Sequence, residues 1–195
     1  MTVFRLYFEL GIDHIMDFRG YDHILFIMTL CAVYHVKEWK RILVLITAFT
    51  IGHTTTLALA TMNIIRMSAG MVEFLIPLTI FMTGLFNAIY RHEKVGSWLH
   101  LVKYFTALFF GLIHGMGFSN YLHSLLGNEG NIVKPLFAFN LGIELGQIII
   151  VVIIMTITWA AVTWMKAPKR ELNLLISGAA IGIAIILMAE RIPWW

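Results

Sequence analysis

Six stretches of this chain are apolar over long lengths, and most of them hold an ionisable or amide side chain in their interior. They cover about 22–36, 41–61, 68–90, 100–122, 135–165 and 172–188. A run of about 20 apolar residues spans a ~30 Å hydrocarbon core as a helix, because lipid offers the backbone no hydrogen-bond partners. Hydrophobic residues make up 59% of the chain and charged residues 13%, against about 25% charged in soluble domains. A chain of 195 residues cannot hide that much apolar surface from water. It reads as an all-α, polytopic membrane helix bundle of about six spans. No repeat, linker or low-complexity segment divides it, so residues 1–195 form one integral membrane domain.

Residues 3–16 place Phe4, Phe8, Ile12 and Ile15 at helical spacing but also carry Arg5, Glu9 and Asp13. This stretch is too short and too charged to span, and predicts a short interfacial helix that lies at the membrane surface or dips partway in. No signal-peptide pattern is visible in it. The run 22–36 gives only about 22 Å of helix. The cluster Lys37-Glu38-Trp39-Lys40-Arg41 anchors its far end at an interface, so Asp22 and His23 start below the opposite one. The lone Cys31 forms no internal disulfide. No basic patch interleaves with aromatics, which excludes nucleic acid, and the first partner is the lipid bilayer. Association with further copies stays open.

Lysine and arginine in the connections set orientation. Lys37, Lys40, Arg41, Arg91, Lys94, Lys103, Lys166, Lys169 and Arg170 fall on one side; Arg5, Arg19, Arg66, Lys134 and Arg191 fall on the other, nine against five. The richer side is expected in the cytoplasm, with both termini outside.

The costly side chains share a depth. At 1.5 Å per residue, His53 lies ~18 Å and His114 ~21 Å above the inner ends of their spans. Glu73, Asn140 and Glu144 lie roughly 8–14 Å below the outer face, where Asp22 and His23 also begin. Imidazoles and carboxylates without a thiolate suit a borderline divalent cation such as nickel, cobalt or zinc. The candidate ligands are His14, Asp22, His23, His53, Glu73, His114 and Glu144. Asn140, Glu144 and Gln147 form one stripe at i, i+4, i+7, and Thr50, His53, Thr54 and Leu57 form another. Asn140, Gln147 and Thr54 are read as partners that orient the ligands. Gly111, Gly115 and Gly117 beside His114 let neighbouring helices approach closely. His35, His92 and His100 sit at loop ends, and His123 at the outer end of its span offers an entry ligand.

Five blocks of sequence resemble the HupE/UreJ family of small bacterial membrane proteins. They are His14 followed by Gly20-Tyr21-Asp22-His23-Ile24-Leu25-Phe26; Phe49-Thr50-Ile51-Gly52-His53-Thr54; Val72-Glu73; Phe110-Gly111-Leu112-Ile113-His114-Gly115-Met116-Gly117-Phe118; and Phe139-Asn140-Leu141-Gly142-Ile143-Glu144-Leu145-Gly146-Gln147. The resemblance implies a nickel or cobalt permease of the bacterial inner membrane, with His14, Asp22 and His23 handling the metal.

Three functions remain in play. A permease would capture the cation at His14, Asp22 and His23 and pass it inward along His53, Glu73, His114 and Glu144. The inner half offers few polar groups for that: Asn87, Thr47, Thr79, Thr83 and Thr106. A membrane-embedded metal-dependent hydrolase, with Glu73 or Glu144 as general base, is the alternative. A sensor or assembly subunit, in which the cluster only fixes the fold, is the third.

Overall fold

The computed structural model describes residues 2–18, 20–90, 97–126 and 132–192. Arg19, Arg91, His92, Lys94, Trp194 and Trp195 lie outside the described residues, as does the side chain of His123. Among the described residues the chain is all-helical. The helices are α1 (Val3–Met16), α2 (Asp22–Cys31), α3 (Trp39–Thr61), α4 (Ala69–Ile89), α5 (Ser97–Gly117), α6 (Ser119–Leu126), α7 (Val133–Thr163) and α8 (Lys169–Glu190). One turn of 3-10 helix, Val36–Glu38, leads into α3.

Five helices are long and apolar enough to cross a membrane: α3 with its leading turn, α4, α5, α7 and α8. The chain is an integral membrane protein on that ground, with two departures from the expected spans and one from the expected N-terminal helix. The stretch 22–36 is no full-length span: α2 stops after ten residues, or about 15 Å. The chain turns there because Tyr34 folds back onto the Cys31 carbonyl and His35 opens a capping box with Glu38. Seven of the ten α2 residues are buried, so α2 is a core helix touching α1, α3, α4, α7 and α8. The stretch 100–122 breaks at Phe118, where Ser119 donates to the Met116 carbonyl and α6 begins. The stretch 3–16 does not lie free at an interface: α1 buries Tyr7, Gly11 and Ile15 against α7.

Two close crossings set the architecture. A side chain at Gly111 or Gly52 would strike the carbonyl of Phe49 or Leu108, so α3 and α5 meet backbone to backbone and run in the same sense. Gly11 stands against the Phe139 carbonyl and Gly142 against that of Phe8, which pairs α1 with α7, again in the same sense. Close approach through glycine trades side-chain bulk for van der Waals contact, the main attraction between helices in lipid.

The α3–α7 seam is polar. Thr54 donates to Asn140 Oδ1 at 2.6 Å, Thr50 to Gln147 Oε1 at 2.8 Å and Thr47 to Glu144 Oε1 at 2.6 Å. The two stripes seen in the sequence thus face one another. At the other end of the bundle, Lys103 sits inside α5, 6% exposed, and is not one of the loop cations that bear on orientation. Its Nζ donates to Asn87 Oδ1 at 2.8 Å, and Asn87 Nδ2 donates to the Thr29 carbonyl at 2.7 Å. Arg170 and Asn173 of α8 donate to carbonyls at the end of α4. This knot ties α2, α4, α5 and α8 together.

Candidate metal site

Four histidines meet where α1 ends, α2 begins, and α3 and α5 cross. His14 is in the last turn of α1 and His23 in the first turn of α2. His53 lies about 12 Å before the end of α3 and His114 about 5 Å before the end of α5, both nearer the same end of the bundle. The close α3–α5 crossing sets this pair, since Gly115 stands against the His53 carbonyl. Ring centroids are 4.8 Å apart for His14 and His23, 5.9 Å for His14 and His53, and 5.3 Å for His23 and His114. One ligand nitrogen from each of His14, His23 and His53 lies within 4.8 Å of the other two.

The hydrogen bonding leaves these nitrogens facing one another without partners. His114 Nδ1 is 2.8 Å from the Phe110 carbonyl, so it carries the proton and leaves Nε2 with a free lone pair. That Nε2 and the Nε2 of His14 and His23 are buried with no hydrogen-bond partner among the described residues, as are both ring nitrogens of His53, which has the Asn140 amide beside it but not in hydrogen-bonding geometry. An orphaned buried polar atom costs roughly 1–3 kcal/mol. Gathering several in one pocket is costly unless a ligand offsets it, and neutral imidazoles converging on one point suit a cation that accepts nitrogen lone pairs. The residues present therefore fit a divalent transition metal. Cys31, farther along α2, is buried away from this point and leaves the donor set all-nitrogen.

Aromatic rings wall the site. Phe118 lies 4.1 Å from His14 and stacks on Phe139 at 5.0 Å. Phe49 is 5.0 Å from His114, and Phe26 lies 5.0 Å from Phe49, 5.8 Å from His114 and 6.1 Å from Phe110. Beneath Phe26 and Phe110 a cavity of about 270 Å³ opens, lined by Thr83, Thr106 and Lys103 among apolar side chains.

The carboxylates stand apart from the imidazole nitrogens. Asp22 is bonded to Arg191 at 3.1 Å, Glu144 accepts from Thr47, and Glu73 is exposed on α4. Of the expected ligands, the structure brings together His14, His23, His53 and His114, while Asp22 pairs with Arg191 and Glu144 with Thr47, and Glu73 is exposed. Asn140 and Thr54 bond to one another beside His53, while Gln147 bonds to Thr50. Arg191 and the phenylalanine wall were not legible as parts of this site. An arginine closing the last span reads as an interfacial anchor, and aromatic residues in apolar runs read as core.

Fold and site together define a polytopic helical membrane protein with a histidine pocket buried between its helices. A family description, HupE / UreJ protein, matches residues 1–192. The chain belongs to that family, whose members are membrane proteins related to nickel and cobalt transport. No curated protein and no solved structure matches it.

Proposed function

We propose that the protein is a permease for a divalent transition metal, nickel or cobalt before zinc, and that the histidine pocket is its selectivity site. The observation that carries this reading is the convergence of the His14, His23 and His53 nitrogens within 4.8 Å, without hydrogen-bond partners among the described residues. Such a pocket strips water from the ion and replaces it with imidazole, which hard cations such as magnesium do not favour.

In this reading α1 and α2 together make a sixth, broken crossing. The first turn of α2 meets Arg191 at the end of α8, and Tyr34 and His35 beyond its other end share a cavity with Thr158 and Thr163 at the end of α7. So α2 runs in the same sense as α7, as α1 does. Six crossings put both termini on the same side of a bacterial inner membrane as the pocket, and the lysine and arginine asymmetry of the connections favours that side as the outer one. The metal enters past His14 and reaches His23, His53 and His114. Release inward requires the Phe26, Phe49 and Phe110 layer to move and open the cavity below.

A hydrolase would need a carboxylate base beside the ion. The two candidates, Glu73 and Glu144, stand elsewhere, so this alternative has less support. Uptake of radioactive nickel into proteoliposomes tests the permease. Time-dependent accumulation that is abolished by His23→Ala and His53→Ala supports it. Tight stoichiometric binding with no accumulation overturns transport and returns the site to catalysis or sensing.

A further inference from the structure

We propose that Arg191 competes with the metal for Asp22, and so sets how tightly the pocket holds its cargo. The inference rests on the histidine pocket being a metal site. Asp22 precedes His23 in the first turn of α2, so its carboxylate is carried by the same turn that presents a ligand imidazole. It also lies within electrostatic reach of His114. Yet in the structure it is turned to Arg191, whose guanidinium lies 3.1 Å away across the bundle at the end of α8. Only 13% of the Asp22 side chain and 28% of the Arg191 side chain are exposed.

Charge accounting explains why this contact bears on binding. A dication held by neutral imidazoles would bring two unbalanced positive charges into a low-dielectric site. The N-terminal end of α2 adds partial positive charge from its unpaired N–H groups. Asp22 adjoins the ligand His23 as Asp13 adjoins His14, and of these two carboxylates Asp22 is the one already paired across the bundle, with Arg191. Metal binding then faces two routes. Either Asp22 leaves Arg191 and turns to the ion, exposing a charged guanidinium, or it stays and the ion forgoes its counter-charge. Both routes make Arg191 oppose binding, and this opposition makes the bound metal easier to release inward.

The consequence has an unusual sign. Removing a cross-bundle ion pair by substitution normally loosens a site. Here Arg191→Met, which keeps length and apolar bulk but removes charge, is expected to tighten metal binding. A hydrogen bond to a charged group suggests a gain of roughly ten- to hundredfold. Arg191→Lys, a point charge with weaker pairing geometry, should fall between Met and wild type.

The test is competition for nickel and for cobalt against a chromophoric chelator, using purified full-length protein in detergent, with thermal unfolding of every variant recorded alongside. Asp22→Asn and the double variant Asp22→Asn with Arg191→Met complete a cycle. The proposal expects Arg191→Met to bind tighter than wild type, and this gain to vanish in the Asp22→Asn background. Equal or weaker binding by a folded Arg191→Met protein overturns it. So does a gain that survives Asp22→Asn, because Arg191 would then act as a distant charge and not through Asp22. If Arg191→Met unfolds, Arg191→Lys decides between the same outcomes by the direction of its shift. Wild-type protein that binds neither metal overturns the pocket reading and this inference together. Wild-type binding that is lost in His53→Ala but unmoved by Arg191→Met or Arg191→Lys overturns this inference alone.

Discussion

Gly111→Ala tests whether helix spacing controls the histidine pocket. A Cβ at Gly111 would overlap the Phe49 carbonyl oxygen and lie 2.9 Å from the Phe49 carbonyl carbon and 3.0 Å from the His53 nitrogen. These are backbone atoms of α3, so no side chain can swing aside to admit the methyl. The helices must part by on the order of half to one ångström, and overpacking of this kind costs about 1–3 kcal/mol. For a chain of this length that lowers the unfolding midpoint by roughly 2–10 °C. The larger effect falls on the site. The segment pushed away carries His53, whereas His14 and His23 sit on α1 and α2. Metal–nitrogen bonds of about 2.0–2.1 Å tolerate errors of about 0.2 Å. A shift of half an ångström therefore detaches one ligand or strains them all, with a loss of affinity on the order of 10- to 100-fold. Gly178→Ala in α8 is the control, since nothing lies within 4 Å of a Cβ there. The assay is nickel titration by chelator competition, paired with thermal unfolding followed by tryptophan fluorescence. A Gly111→Ala protein matching Gly178→Ala in both measurements would refute the claim that the α3–α5 crossing fixes the pocket.

Three further outcomes follow from the polar contacts and the backbone. Asn87→Leu leaves the Lys103 ammonium without its acceptor and removes the side-chain donor to the Thr29 carbonyl. It should destabilise the protein by about 3–5 kcal/mol, and adding Lys103→Met should recover most of the loss in a denaturation series. Thr54→Val removes the bond to Asn140, at a cost of about 1 kcal/mol. It should weaken metal binding less than His53→Ala does in the same titration. Lys166 adopts φ 52° just beyond α7, a left-handed conformation that glycine enters freely. Lys166→Gly should leave the unfolding midpoint unchanged or raise it, whereas Lys166→Val should destabilise the fold by about 1–2 kcal/mol and lower the midpoint accordingly.

The histidine cluster is more legible in the sequence than the helix boundaries around it. An imidazole inside an apolar run is expensive wherever it sits, so His53 and His114 stand out, and helical rise alone places them at similar depth. The Asn140–Gln147 stripe is legible for the same reason, and it meets the α3 threonines directly. For the carboxylates, cost identifies a buried charge without naming its partner. Asp22 finds Arg191, 169 residues away; Glu144 finds Thr47; Glu73 stays exposed. Lys103 reads as a connection residue because a lysine near a span end usually snorkels to the interface. Its acceptor, Asn87, lies on another helix, so nothing in the local pattern shows that it is buried. The end of α2 is equally hidden, since no glycine or proline marks it. The contact of the Tyr34 hydroxyl with His100 and the capping box of His35 with Glu38 stop it instead.

The break between α1 and α2 is the feature that makes the pocket possible. His14 and His23 are nine residues apart. On one continuous helix they would be separated by about 13.5 Å along the axis and would point to opposite sides. Their rings are in fact 4.8 Å apart, because α1 ends at Met16 and α2 restarts at Asp22. Gly20 lies in that break, where a Cβ would approach only Asp17. The break costs backbone hydrogen bonds that a continuous span would keep, and in lipid such a cost is met only where the exposed groups line a protein interior. Two half-helices therefore exchange regularity for a pair of imidazoles in edge-on contact. Alanine insertions give a direct check. Two alanines after Tyr7, inside α1, turn His14 by about 200° relative to the part of α1 before the insertion and should abolish metal binding. Two alanines after Phe18, within the break, should be far better tolerated in the same titration. Equal loss from both insertions would mean that the connection itself, and not the register of α1 against α7, holds His14 in place.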